Sequence, residues 1–423
     1  MNLNDTRSHA EHAIGAVLPQ RRQDLARLRV LAEAGLQPVV TVVGKYNHGK
    51  SRLLNELIGS PSFAVADRRE TVALSSHVHE QVRWLDAPGL DADVDQADDD
   101  HAHRATWLES DIRLFVHAAK EGELDACERS LLLALHADAE RTRRQTLCVL
   151  TQIDQLADDA AQQQVSGAIA AQASGQMWLA VSSTRYRQGV DGAKQLLLQK
   201  SGIPALQQSL KLALAQVPQA RSYEKALLLQ EIRAQLQALH AERQQGLAQL
   251  HQLQTDQGQR FAQDLAAVQD KTGRDIQAVL DVPGPDHSLT PDSFADQFKM
   301  TPGKLERNRL QVAYSKACIC ISAILTKHGV VELPLAQQTQ VKSLDSVMVA
   351  VMGVSVKYRQ DLRRLFCEAA GRSALAQSFT RYFELSADHQ ALVQRIANQE
   401  AQVQASAQAL AAFSALEALE TPA

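Results

Sequence analysis

The chain has 423 residues and a formal net charge of −4, with 45% hydrophobic and 22% charged residues. At roughly 100–200 residues per domain it should hold two or three domains, and such a balance excludes wholesale disorder and a general polyanion binder. No run reaches the roughly 18–20 apolar residues of a membrane-spanning helix, and five irregularly spaced cysteines make no disulfide framework.

The start, MNLNDTRSHAEHAIG, lacks the basic residues and apolar core of a signal peptide, so a reducing cytoplasm is the expected compartment. Residues 8–34 then place Ile14, Val17, Leu18, Leu25, Leu28 and Leu31 at mostly helical spacing. Pro19 kinks or splits this helix, and Gly35 can cap it. From Pro38 short β-branched runs alternate with helical stretches. Strands are predicted at 39–43, 82–85, 112–117, 146–151 and 177–182, with a helix at 50–58. Strands alternating with helices imply an α/β unit with a mostly parallel sheet covered on both faces. It should end near Val217.

A second texture begins at about Arg221. Leu229, Ile232, Leu236 and Leu239 follow a 3-4-3 spacing, and the seam resumes at Leu250, Phe261, Leu265, Val268, Ile276 and Val279. This predicts one long helix, or two nearly collinear ones, ending before Pro283. Gln and Arg interrupt the seam, which favours an intramolecular helix bundle over a coiled-coil dimer. Residues 286–300 read as a loop, 317–325 and 347–356 as apolar patches, and 386–419 as a last helix capped by Ser386. The acidic stretch 91–100 is a solvated loop.

Gly44-Lys45-Tyr46-Asn47-His48-Gly49-Lys50-Ser51 fits G-x-x-x-x-G-K-S, with a strand entering and a helix leaving. The glycines let backbone N–H groups wrap a β-phosphate, and the new helix points its positive end at the anion. Lys50 would bridge the β- and γ-phosphates, and Ser51 would offer its hydroxyl to Mg²⁺. Asp86, at the end of the next strand in Asp86-Ala87-Pro88-Gly89, can hold Mg²⁺ through water. Gly89 can give its backbone N–H to a γ-phosphate. Thr71, in a polar loop between these motifs, can add a second hydroxyl to Mg²⁺ when a γ-phosphate orders the loop. Ser75 and Ser76 are its rivals, although they should start a strand. In Thr151-Gln152-Ile153-Asp154 the Asp154 carboxylate can accept from the N1–H and 2-amino group of guanine, a donor pair that adenine lacks. Ser182 and Ser183 close the last strand, where a backbone N–H can meet the guanine O6.

These five pieces, in this order and at strand ends, resemble the motifs of small GTPase domains. The segment from Val43 to Gly59 and the stretch after the third motif, Asp111 to Val116 with Gly122, Glu123, Leu124, Asp125 and Glu128, resemble those of bacterial dynamin-like GTPases. The resemblance covers about residues 36–220. It implies a P-loop GTPase domain that binds GTP or GDP with Mg²⁺, and it places Gly44, Asn47, Gly49, Lys50, Ser51, Arg52, Gln152, Asp154, Ser182 and Ser183 around the nucleotide. It also implies a neck-and-stalk plan: an N-terminal helical segment (1–35) packing on a helical stalk or bundle (221–423), with homodimerisation through the GTPase domain. The chain departs from the pattern at Gln152, where a lysine usually packs on the base, and at Leu90, where Ras-like enzymes carry a catalytic glutamine. Asn47 stands where potassium-activated GTPases of the Era and TrmE type ligate K⁺, so K⁺ is a candidate cofactor. Arg68 and Arg69 read as solvated loop residues or as a source of transition-state charge.

Residues 299–372 hold twelve Lys or Arg against five Asp or Glu. Basic residues beside apolar ones can bind an anionic bilayer, peripherally at the inner membrane, while a buried bundle helix with a solvated basic end fits the same pattern. The helical half is therefore expected to contact either a membrane or a protein partner, as a dynamin-like machine or as a cytosolic switch. Nucleic acid is disfavoured, for no GXXG clamp and few aromatics occur there. Cys318 and Cys320 read as core residues rather than a zinc site, and His101 and His103 as parts of a polar loop.

Overall fold

The computed structural model describes residues 3–33, 37–64, 75–86, 102–173, 175–331 and 358–420. These fall into two compact units, one made of residues 1–237 and 408–423 and the other of residues 238–407.

The first unit is built on a six-stranded sheet: β1 (Val39–Val43), β2 (Ser75–His79), β3 (Val82–Asp86), β4 (Ile112–Ala118), β5 (Gln145–Thr151) and β6 (Trp178–Ala180). The spatial order is β2-β3-β1-β4-β5-β6, and every pairing is parallel except β2 with β3. Side chains alternate across β1. Val40 and Val42 join a core with Leu53, Leu54, Ile58, Ile203, Leu206 and Leu210. Val39 and Val43 join the opposite core with Phe115, Leu132, Leu135, Leu150 and Ile169. Both faces are thus covered, which is why the central strands read as continuous apolar runs. The covering helices are α3 (Lys50–Ile58), α4 (Ala126–Thr142), α5 (Asp159–Gln172) and the start of α8 (Ile203–Leu280), with α6 (Ser183–Asp191) and α7 (Gln195–Lys200) between.

Pro19 splits the N-terminal helix into α1 (Leu3–Val17) and α2 (Arg22–Glu33), joined by a 3₁₀ turn. The turn and α2 are tied to α8: Arg21 of the turn donates to Glu231 and Gln235, and Arg27 of α2 to Glu224. The expected textural break near Arg221 is no break in the helix. α8 runs unbroken through 78 residues, with Pro218 inside it. One proline removes only one helical donor, while Leu206, Leu210, Ala213, Val217 and Ala220 keep a 4-3-4-3 buried spacing across the site.

The second unit packs α8 beyond residue 237 with α9 (Pro302–Lys327), α10 (Ala369–Glu384) and part of α11 (Ala387–Glu420). Its core gathers Phe261, Leu265, Leu310, Ile321, Phe379 and Phe383. Phe261 and Phe383 stack at 4.4 Å between centroids. Cys318 and Cys320 pack at the margin of this core, and none of the five cysteines forms a disulfide. Ser386 caps α11, accepting from the His389 N–H at 3.4 Å. The loop at 286–300 carries only two 3₁₀ turns. Residues 347–356 lie outside the described residues. No described helix is long and apolar enough to cross a membrane.

Candidate nucleotide-binding site

The loop between β1 and α3 follows from its glycines. Gly44 has φ +150°, and a Cβ there would lie 2.2 Å from the Val116 carbonyl oxygen, so no larger residue fits without moving β4. Gly49 has φ +79° and caps α3 in a left-handed conformation. Asn47 also has a positive φ, 60°, which asparagine tolerates better than most residues. The loop is held from behind. Thr151 Oγ1 donates to the His48 carbonyl at 2.6 Å, and Gln152 Nε2 donates to the Asn47 carbonyl at 2.7 Å. The motif at the end of β5 therefore braces the loop as well as facing it.

Lys50 is buried, and its ammonium donates to the carbonyls of Gly44 at 3.0 Å and Lys45 at 2.8 Å. The charge is already folded back over the loop where a phosphate would sit. Ser51 Oγ donates to Asp86 Oδ2 at 2.5 Å across the gap between α3 and the end of β3. The other oxygen, Asp86 Oδ1, is buried without a hydrogen-bond partner among the described residues. Burial pushes the Asp86 carboxyl above its usual value, and the Ser51 hydroxyl and the Lys50 charge only partly offset this. An orphaned carboxylate oxygen beside a hydroxyl is an oxygen donor set that suits Mg²⁺.

At the far side Ser182 Oγ donates to Asp154 Oδ1 at 2.6 Å and accepts from the Arg185 N–H at 3.0 Å, capping α6. Asp154 is half-buried. The Ser182 N–H donates to the Ser201 carbonyl at 2.8 Å, so it is committed elsewhere. Ser183 begins α6, where the first N–H groups lack intrahelical partners, and it is the better placed donor for a base carbonyl. Ser182 thus orients Asp154 with its side chain instead of offering its backbone. Arg52 is exposed on the first turn of α3. Thr71, Gly89, Leu90, Arg68 and Arg69 lie outside the described residues, and Ser75 and Ser76 open β2.

One constellation escaped the sequence reading. His48 of the loop, His117 of β4 and Glu128 of α4 meet in the interior directly behind the loop. The three are far apart in sequence and follow no ligand spacing, so nothing in the sequence alone pointed to them.

Residues 39–152 match the family described as 50S ribosome-binding GTPase. An uncharacterized protein of Acinetobacter baylyi is 51% identical over 381 residues, covering 90% of this chain and 91% of that one. Among solved structures, Aquifex aeolicus Era bound to GDP·AlF₄⁻ is similar over 38% of this chain and 56% of that one, with 21% identity and a TM-score of 0.30. The chain thus spans little more than half of the length of that protein. An oligomerised bacterial dynamin pair is similar over 94% of this chain and 91% of that one, with 12% identity and a TM-score of 0.42. The chain carries a P-loop GTPase domain and belongs to one family with the Acinetobacter baylyi protein.

Proposed function

We propose that the chain binds GTP and GDP with Mg²⁺ on the loop 44–51, hydrolyses GTP, and couples nucleotide state to its helical half in the manner of a dynamin-like protein. The observation that carries the nucleotide reading is the Ser51–Asp86 pair with its orphaned carboxylate oxygen, set beside the folded-back Lys50 ammonium. Backbone N–H groups from Gly44 to Ser51 and the start of α3 hold the phosphates. Lys50 moves from the loop carbonyls to the β- and γ-phosphates. Ser51, Thr71 and Asp86 hold Mg²⁺, which neutralises charge developing on the phosphates during transfer. Gly89 supplies a γ-phosphate donor. Asp154, oriented by Ser182, reads the guanine N1–H and amino group, and Gln152 lies where a base-stacking lysine is usual. Leu90 has no polar atom to orient water, so the attacking water is placed by backbone, by a cation or by a partner. Asn47 supports a K⁺ ligand in that role.

The functional division proposed is 1–35, 36–220 and 221–423. For the helical half an anionic membrane surface is the reading we favour over a protein partner. Phe294 and Phe298 are 93% and 95% exposed on the loop before α9, with Leu289 and Met300 also exposed and Lys299 beside them. Apolar side chains beside a cation suit an anionic interface. Arg307, Arg309, Arg359 and Arg372 are paired with carboxylates, so their charge is partly neutralised and the apolar residues carry this reading.

Calorimetric titration with GDP and Mg²⁺ tests the first part: one site per chain is expected, and no uptake overturns it. Turnover in KCl against NaCl tests Asn47, with equal rates excluding K⁺. Co-sedimentation with phosphatidylglycerol vesicles should be lost in Phe294→Ser/Phe298→Ser. Equal binding by this variant removes the loop from the membrane reading, and no binding by the native chain leaves the protein-partner reading.

A further inference from the structure

The cluster behind the phosphate-binding loop has a ligand geometry that the nucleotide chemistry does not use. We propose that His48, His117 and Glu128 form a binding site for a d-block divalent cation of the zinc class, pinning the loop to β4 and α4 from the side opposite the nucleotide.

The three side chains are buried, and one ligand atom from each lies within 4.8 Å of the others. His117 Nδ1 is 2.8 Å and His48 Nδ1 3.5 Å from Glu128 Oε1. Ligand atoms on a tetrahedral zinc stand roughly 3.3 Å apart, from metal–ligand bonds of about 2.0–2.1 Å. The His48 edge already has this length, and the His117 edge must widen by roughly half an ångström, from a hydrogen-bond to a coordination distance. The third edge, between the two histidines, is at most 4.8 Å and must close towards the same length as the side chains turn onto the ion.

The outer contacts are those a coordinated set requires. His117 Nε2 lies 3.1 Å from the Gly122 carbonyl. With a metal on Nδ1, the Nε2–H donates to that carbonyl and fixes the ring, the usual second contact of a metal-bound imidazole. Glu128 Oε2 accepts the Asp125 N–H at 3.1 Å, which leaves Oε1 turned to the histidines. The Val116 carbonyl, 3.3 Å from His48 Nδ1, is a candidate fourth ligand.

The oxygens around the two rings point the same way. Both ring nitrogens of His117 face oxygen atoms, those of the Glu128 carboxylate and the Gly122 carbonyl, and His48 Nδ1 faces a carboxylate and a carbonyl. A divalent cation at the centre supplies the positive charge that these oxygens face. The nearby Lys50 charge opposes a second cation, and the Glu128 carboxylate opposes that repulsion. Two imidazoles and one carboxylate suit zinc or cobalt better than Mg²⁺.

The test uses the untagged full chain with GDP and excess Mg²⁺, titrated with Co²⁺. One cobalt per chain is expected, with the strong visible absorption of a four-coordinate ion. An oxygen-only site at Ser51 and Asp86 would keep cobalt six-coordinate and pale, so failure of nucleotide binding and failure of this site give different records. Uptake should be lost in His117→Asn and in Glu128→Gln. Because these variants replace buried groups, X-ray absorption of the native chain loaded with Zn²⁺ gives a reading independent of them, with two imidazoles in the shell expected. No stoichiometric uptake, a shell without imidazole, or equal uptake by folded variants overturns the proposal.

Discussion

Ser51 Oγ donates to Asp86 Oδ2 at 2.5 Å, while Asp86 Oδ1 lies buried with no hydrogen-bond partner among the described residues. Half of this carboxylate is satisfied and half is not, and the group sits above its usual pKa because of burial. A carboxyl raised in the folded state binds its proton more tightly there than in the unfolded chain. Its stabilising share is present below the unfolded value and is lost as pH rises through the folded value. Above its unfolded value, and so at neutral pH, the group therefore costs stability. Asp86→Asn keeps an acceptor for Ser51 and removes the charge. The ligand-free variant is expected to melt above the native chain at pH 7, by about 2–4 °C for a gain near 1 kcal/mol. It should also lose the extra stabilisation that Mg²⁺ gives in the presence of GDP. Differential scanning calorimetry in the four combinations of ligand and variant measures both, and a lower ligand-free melting point would contradict the account of the orphaned oxygen.

Lys50 has two sets of partners to choose between. In the described state its ammonium satisfies the Gly44 and Lys45 carbonyls, neutral acceptors worth less than a phosphate to a cation. Nucleotide should draw it away at little cost. Lys50→Ala removes the cation from a water-poor site facing several negative charges, and GDP affinity should fall by at least about 100-fold, the equivalent of ~3 kcal/mol for a charged hydrogen-bonded contact. Fluorescence polarisation with labelled GDP measures this, and affinity within a few fold of the native value would sink the phosphate assignment.

Gln152 has a positive φ of 58°, donates to the Asn47 carbonyl through Nε2, and leaves its Oε1 buried without a hydrogen-bond partner among the described residues. A lysine at this position can make the same donation, has no acceptor to leave orphaned, and lays a longer apolar stem along a base. Gln152→Lys is expected to tighten GDP binding by roughly 3–10-fold, for about 1 kcal/mol gained by the longer stem against the base. In Asp154→Asn the carboxylate that reads guanine is gone, and the preference should move from GTP towards XTP. Competition titrations with both nucleotides check the pair. An unchanged GTP/XTP ratio removes Asp154 from base reading.

The central strands and the phosphate loop were legible because their signals are local. Buried β-branched runs and the spacing of Gly44, Gly49, Lys50 and Ser51 need no tertiary context. β2 was visible only as Ser75 and Ser76. It is short, polar and at the sheet edge, and its turn to β3 places Glu80 and Gln81 at φ 47° and 63° without the glycine or asparagine that usually marks such a turn. The continuity of α8 was hidden by Pro218, although the apolar spacing on either side of it never changed register. The role of Ser182 was half legible. Its place after the last strand could be read from sequence, but the loss of its N–H to Ser201 depends on a contact made across the fold. The His48–His117–Glu128 cluster had no local signal at all, since its geometry exists only once loop, strand and helix are assembled.

The same limit applies to the ionic network at the end of the sheet opposite the phosphate loop. Arg27 of α2 grips both oxygens of Glu224 on α8, at 3.0 and 2.8 Å, and donates to Asp111 at 3.3 Å. Arg221 of α8 donates to the same aspartate, whose Oδ2 also accepts the β1 N–H of Val39. Arg144 lies 3.3 Å from Glu224 and 2.8 Å from Asp138. The network therefore fastens the N-terminal helices and the long helix to the sheet. Arg113 is different: fully buried over the Trp107 ring, it reaches Asp138 through one nitrogen while its Nε and second terminal nitrogen have no hydrogen-bond partner among the described residues. Burial and the neighbouring Arg144 push its guanidinium down to about 10, still charged at neutral pH. Two substitutions separate these cases. Glu224→Gln strips one of the two counter-charges from each of two buried guanidinium groups, Arg27 and Arg144, and should cost about 3 kcal/mol, the penalty of breaking a buried pair. Arg113→Met replaces a poorly satisfied buried charge by an apolar chain of similar length, leaves Arg144 to pair with Asp138, and should be neutral or mildly stabilising. Urea titrations followed by circular dichroism rank the two. Equal losses in both variants would mean that Arg113 has partners as good as those of Arg27, against the unsatisfied nitrogens observed here.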